Sequence, residues 1–266
     1  MIDSHVHLNR PEFAADRAAV MQSARESGVT GFLNVGYDPA TCEESVALAE
    51  QHADVWATVG IHPHDAELLA DPEGALTAAG RDILIRLEEL AAHPRVLAIG
   101  EIGLDFYRDL SPRPAQRAAL AAQLDLAARV DLPVVFHIRD AWPQTLAFLD
   151  EHGLPRRRGV LHAFSGTADH VGWARDRGFL VGIGGPVTYK NSTLPEQVAA
   201  ADLDMLLLET DAPWLPPVPY RGRRNESGYL VHTRDKVASI LDISPEAVDA
   251  ATTANFRRLF GGPTTA

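Results

Sequence analysis

Eight short apolar runs, separated by stretches of helical composition, constrain this chain more than any other feature. They lie at Ile2–His7, Thr30–Val35, Val55–Ile61, Val96–Glu101, Pro133–His137, Val160–His162, Phe179–Ile183 and Asp204–Leu208. Between them the periodicity changes from strand-like to helical; over Pro114–Val130, for example, Ala118, Leu120, Leu124, Leu126 and Ala127 recur near helical spacing. Ser111-Pro112 and Ser244-Pro245-Glu246 read as helix starts. Eight such units in 266 residues give roughly 33 residues each, which predicts a (β/α)8 TIM barrel, a single domain over residues 1–266. The competing open, doubly wound sheet commonly carries a Gly-rich phosphate loop after its first strand. Here Leu8-Asn9-Arg10-Pro11 follows instead, with no glycine.

Composition narrows the class. The chain holds one cysteine, Cys42, which excludes an intramolecular disulfide framework and suits a reducing, cytoplasmic setting. No basic, apolar leader precedes Ile2, and no apolar run approaches the roughly 18 residues of a membrane span, so no membrane role is expected. Formal net charge is −12. Such a balance argues against a protein that coats nucleic acid, because coating requires phosphate neutralisation. Lysine occurs only at 190 and 236, so almost all positive charge is arginine. Cys42 has no partner motif and reads as a small buried residue.

In a barrel of this kind the strand C-termini form the active face. The first run ends in His5-Val6-His7, the fourth in Glu101, the fifth in His137 and the sixth in His162; Asp211 follows the eighth. His5 and His7 are two apart on a strand and share a face. Successive spacings of 94, 36, 25 and 49 residues are about three, one, one and two units, so all these positions are expected on one rim. Six donors exceed what one tetrahedral ion takes. Two divalent ions about 4 Å apart fit better: one with His5, His7 and Asp211, the other with His137 and His162, and Glu101 bridging. Mixed imidazole and carboxylate donors suit zinc, manganese or iron, and are less natural for magnesium.

The landmarks DSHVHL at 3–8, VGIHPHD at 59–65, AIGEIGLDFY at 98–107, PVVFHIRDA at 133–141, LHAFSG at 161–166, GIGGPVTYKNS at 182–192, LLLETDAPWLPP at 206–217 and PYRGRRNES at 219–227 resemble, in order and spacing, the TatD family of metal-dependent deoxyribonucleases. The resemblance runs along nearly the whole chain. It implies the barrel, a pair of divalent ions (Mg, Mn or Zn) and phosphodiester hydrolysis, with metal ligands at His5, His7, Glu101, His137, His162 and Asp211. It also implies 3′-to-5′ exonuclease action on single-stranded DNA ends, with a part in DNA repair.

On this reading Asp211 orients the attacking water and accepts its proton, and Glu101 bridges the ions. His62, from His62-Pro63-His64 at the end of the third run, contacts phosphate or donates a proton to the leaving oxygen. His64, Arg139, Tyr189, Lys190, Arg221, Arg223, Arg224 and Asn225 are further candidates for substrate binding, guanidinium being well matched to phosphate. Arg156-Arg157-Arg158 precede the sixth run and read as a solvated loop away from the metals. Phe106, Tyr107, Tyr189, Trp214 and Tyr220 are candidates to stack on bases. Two other functions compete: a hydrolase of small-molecule esters, lactones or phosphotriesters, and a non-catalytic metal-binding scaffold. The Arg-rich segment at 221–224 favours the nuclease. The chain is expected to act as a monomer that captures a short strand end by local contacts.

Overall fold

The computed structural model describes residues 1–261; positions 262–266 of the expected domain lie outside the described residues. Eight strands occur in chain order: β1 (Ile2–Val6), β2 (Gly31–Val35), β3 (Val55–Val59), β4 (Val96–Asp105), β5 (Val134–Arg139), β6 (Gly159–Leu161), β7 (Leu180–Ile183) and β8 (Leu206–Leu208). The helices that follow them are α1 (Arg17–Glu26), α2 (Pro39–Gln51), α3 (Ala78–Ala91), α4 (Arg113–Val130), α5 (Trp142–His152), α6 (Ala168–Arg177), α7 (Leu194–Ala200) and α8 (Leu230–Leu241), with α9 (Pro245–Phe260) last. One helix after each strand, with strands in parallel register, is the (β/α)8 class that the alternation predicts. The chain forms two compact units: a terminal unit of Met1–Asn34 with the chain from His162 onward, and a middle unit of Val35–Leu161.

In the terminal unit β1 pairs with β2, and β7 with β8. The chain leaving β8 runs beside β1: Asp211 N–H donates to the His5 carbonyl and His7 N–H to that of Ala212, both at 2.9 Å. Asp3 fastens this junction. Its carboxylate accepts from the Thr210 amide at 3.0 Å and from the hydroxyls of Thr210 and Ser227 at 2.7 and 2.6 Å. Burial outweighs these bonds and pushes the Asp3 carboxyl up to about 7. The unit's core holds Phe13, Phe32, Phe179 and Phe256, all essentially inaccessible, each contributing about 1.5–3 kcal/mol by burial. Helix α9 starts as predicted: Ser244 Oγ accepts from Ala247 N–H at 3.2 Å and Pro245 occupies the first turn.

The middle unit is built on β3, β4, β5 and β6, paired in that order. β4 continues four residues past the expected end at Glu101, because Ile102 and Leu104 extend the buried run and the register against β5 shifts between Ile99 and Ile102. Glu101 therefore lies inside β4. Gly103 permits the close approach of β5; a Cβ there would overlap the His137 carbonyl oxygen. Helix α4 carries two buried glutamines seven residues apart, hence on one face. Gln123 takes the Ile61 amide at 2.6 Å and donates to the Ile61 carbonyl at 3.1 Å. Gln116 takes the Asp105 amide at 2.9 Å and donates to the Asp105 carbonyl at 3.2 Å. Each fixes a strand exit that leads into the site. Ser111 does not cap α4; its hydroxyl donates to the His64 carbonyl at 2.7 Å. Cys42 is buried against Gly60, and burial pushes its thiol up to about 12, an inert residue as the sequence suggests.

Candidate metal centre

Each unit gathers its own set of candidate ligands. In the terminal unit His5 Nε2 and His7 Nε2 stand 3.1 Å apart. Asp211 Oδ1 lies 3.4 Å from His7 Nε2 and 3.8 Å from His5 Nε2, and His162 Nε2 is also 3.8 Å from it. Bonds of 2.0–2.1 Å in a tetrahedral site place donors about 3.3 Å from one another, so these side chains fit a common cation. The group is nearly dry: His5 is inaccessible, and His7 and His162 are buried. Burial works against charge on Asp211, but the bond from His7 and the facing imidazoles hold its carboxyl below the usual range.

The rings of His5 and His162 stack at 3.3 Å, 15° from parallel, which aligns their Nε2 edges on Asp211. Behind His162 stands Glu209, a residue that the sequence reading missed. Its Oε1 is 3.0 Å from His162 Nδ1 and accepts from the Ala163 amide at 2.6 Å. Its Oε2 is buried without a hydrogen-bond partner. A carboxylate at the far nitrogen of a ligating imidazole fixes the ring and raises its basicity. Gly182 makes room for it, since a Cβ there would overlap Glu209 Oε2. His5, His162 and Glu209 also lie close enough together to form a ligand group of their own.

In the middle unit Glu101 is flanked by His137 and His62. His137 Nδ1 is 2.7 Å from Glu101 Oε1, and its Nε2 is 3.0 Å from Asp105 Oδ2. Asp105 is a second missed residue. Although buried, it is held well below the usual carboxylate range by His137, the Arg108 amide and His64, whose Nε2 lies 2.8 Å away. Held on Asp105 through Nε2, His137 turns Nδ1 toward Glu101, the arrangement of a ligand supported from behind. His62 Nε2 is 3.7 Å from Glu101 Oε1, within ligand range of that pair. Its Nδ1, however, accepts from the His64 amide at 3.1 Å, and burial keeps the ring neutral. A neutral ring that accepts at Nδ1 carries its proton on Nε2, and His62, Glu101 and His137 lie close enough together to form a candidate ligand group. The structure thus groups His162 with His5, Glu209 and Asp211, and groups His137 with Glu101 and Asp105.

The candidate substrate residues divide. Arg221 and Arg223 are exposed, as is Lys190, and the Arg221 guanidinium lies 4.4 Å over the Tyr189 ring. Tyr189 is half-buried and donates to the Pro216 carbonyl at 2.9 Å. Arg139 is exposed and lies 4.1 Å over Tyr107. Arg224 and Asn225, also expected to meet substrate, already have protein partners. Arg224 is locked in ion pairs with Asp16 at 2.7 Å and Glu226 at 2.9 Å, which push its pKa up. Asn225 is inaccessible and uses its amide to hold the Thr210 and Trp214 carbonyls at 2.8 and 2.7 Å. Arg156 is the solvated residue the sequence suggests, 80% exposed. Among the described residues no helix is long and apolar enough to cross a membrane.

Residues 2–261 match the model of a family described as TatD related DNase. An "Uncharacterized metal-dependent hydrolase YabD" of Bacillus subtilis is 34% identical over 261 residues, 98% of each chain. A "3'-5' ssDNA/RNA exonuclease TatD" of Enterobacter lignolyticus is 37% identical over 267 residues, covering 98% of this chain and 99% of its own. The crystal structure of YJJV, a TatD homologue from Escherichia coli, superposes with a TM-score of 0.90 at 30% identity, covering 99% of this chain and 98% of that one. With a full-length family match and two clusters of imidazoles and carboxylates of metal-binding geometry, this chain belongs to the TatD family and is a metal-dependent hydrolase.

Proposed function

We propose that this enzyme hydrolyses phosphodiester bonds of DNA, removing nucleotides from single-stranded 3′ ends. The observation that carries the reading is the convergence of His5 Nε2, His7 Nε2 and Asp211 Oδ1 within 3.1–3.8 Å in a nearly dry setting. Relatives at about 37% identity bear the name 3'-5' ssDNA/RNA exonuclease, which supports the same substrate class. We assign His5, His7, Glu101, His137, His162 and Asp211 to divalent ions, two per chain, of the Zn, Mn or Mg type. Such ions, when bound, acidify water and neutralise charge that gathers on phosphate oxygens.

The side chains do the rest. Asp211 keeps its charge despite burial, so it can orient a water and accept its proton. His62, neutral with its proton on Nε2, donates a hydrogen bond to a phosphate or leaving oxygen. Arg221 and Arg223 meet the strand's phosphates at the surface. Net charge of −12 disfavours a long grip on duplex and suits capture of a short terminus. The same reading makes the enzyme a cytoplasmic monomer with a part in DNA repair.

The test is direct. Purified protein is incubated with each metal and end-labelled single-stranded DNA, duplex DNA or a panel of small esters. Mononucleotide release by metal-loaded protein only, lost in Asp211→Asn with metal content checked, is the expected result. Ester turnover without nuclease action would replace this reading with the small-molecule hydrolase, and silence on every substrate with the scaffold.

A further inference from the structure

Resting on the nuclease reading, we infer that Trp214 is the platform for the unpaired base of the terminal nucleotide, and so the residue that selects single strands. Five aromatic residues stand in loops, each in contact with a guanidinium or another ring. Phe106 lies under Arg113 at 4.2 Å and Tyr107 under Arg139 at 4.1 Å. Tyr189 lies under Arg221 and bonds through its hydroxyl, and Tyr220 stacks on Tyr229 at 3.8 Å, 3° from parallel. Trp214 alone of these touches a candidate metal ligand: its ring stands edge-on to His7, 5.0 Å between centroids.

Its backbone is fixed on both sides. Trp214 N–H donates to the Asp211 carbonyl at 2.9 Å, and its own carbonyl accepts from buried Asn225 at 2.7 Å. Asn225 N–H donates to the Pro213 carbonyl at 2.9 Å, so the whole turn from Asp211 is held. Yet 42% of the residue remains in water. A large indole kept exposed on a rigid turn, three residues from Asp211, loses little freedom when a flat partner covers it. The Arg10 guanidinium sits 5.1 Å over the ring, and Arg10 is itself paired with Glu12 at 3.2 Å.

A phosphate beside His7 and Asp211 brings its nucleoside to this ring. A base can stack there only when released from its partner strand and its neighbour. A duplex end must first be unpaired, and a single-strand end need not be. The platform thereby turns an aromatic contact into a preference for unpaired ends, without reading sequence, because every base has a π-face.

The experiment compares wild type, Trp214→Phe and Trp214→Ala on a single strand with an ordinary 3′-terminal base and on the same strand ending in a base-free sugar. Trp214→Ala is expected to raise KM on the base-bearing end about 5- to 100-fold, the range of base–aromatic stacking, with little change in kcat. KM on the base-free end should not move, and Trp214→Phe should restore most of the loss. A parallel titration of chelator-treated protein with the ordinary strand should quench a tryptophan signal that Trp214→Phe lacks. Hydrolysis with equal KM changes on both ends, or none, overturns the Trp214 assignment and leaves the nuclease reading standing. Absence of both hydrolysis and quenching overturns the two together.

Discussion

The two ligand groups are assembled from the same residue types but balanced differently. In the terminal unit, three imidazole Nε2 atoms meet one carboxylate oxygen of Asp211 at 3.4–3.8 Å, and the second carboxylate, Glu209, stands behind His162. In the middle unit, His137 is already sandwiched between two carboxylates, Glu101 at 2.7 Å and Asp105 at 3.0 Å. The first group turns three ring nitrogens on one carboxylate oxygen, a set of neutral donors suited to a cation. The second can satisfy itself with protons. On the proposed two-ion reading, affinity is therefore expected to differ: the terminal group should hold an ion more tightly, and the middle group should give one up first under chelation.

Their supports differ in the same way. The terminal group is fastened by Asp3, which ties β1 to the segment after β8, and by Asn225, which braces that segment from within. The middle group is fastened by the neutral amides of Gln116 and Gln123 projecting from α4. Removal of a ligand should thus act on one group at a time, and removal of a support should act first on order and only then on metal.

The largest effect is expected from ligand loss. His7→Ala should lower kcat/KM for DNA at least about 1,000-fold and strip the terminal ion, whereas Glu101→Gln should strip the middle ion alone; metal analysis by mass spectrometry separates the two. Loss of both ions from both variants would break the proposed independence. Next comes Glu209→Gln, which keeps the volume but removes the charge behind His162. Affinity for the ion is expected to fall about 10- to 100-fold, read by competition with a chelating dye, with the fold intact. Unchanged affinity would reduce Glu209 to a buried structural group.

Gln123→Leu comes third. It leaves the Ile61 amide and carbonyl without partners, at about 1–3 kcal/mol each, and should lower Tm by several degrees while the terminal ion stays bound. Smallest is the joint change Arg221→Ala and Arg223→Ala. It should reduce the slope of log affinity against log salt by about one per arginine, with little change in kcat. An unaltered slope would remove these side chains from phosphate contact.

Strands were legible as apolar runs, and His5, His7, Glu101, His137, His162 and Asp211 stood out as candidate ligands because they are polar residues in or just after those runs; β4 nevertheless carries its buried run past Glu101. The limits of legibility are equally physical. Glu209 and Asp105 sit beside the ligands in the LLLETD and GLDFY segments, but their roles depend on His162 and on His137 with His64, distant in sequence. Spacing alone marks neither. Arg224 and Asn225 share a segment with Arg221 and Arg223, yet Asp16 and the Thr210 and Trp214 carbonyls claim them. Composition cannot tell a guanidinium that faces water from one already paired. Ser111 precedes α4 as expected, but its hydroxyl answers the His64 carbonyl, 47 residues away, a partner no local pattern reveals.

The proposed function requires that two separately built ligand groups each take up a divalent ion and that both serve the hydrolysis of DNA. Equilibrium dialysis of metal-free protein against graded zinc or manganese, with bound ions counted and mononucleotide release measured in each sample, tests it most directly. Two ions per chain are expected, taken up in two steps, with release of nucleotides rising on the second. Full activity with one ion or none would contradict it.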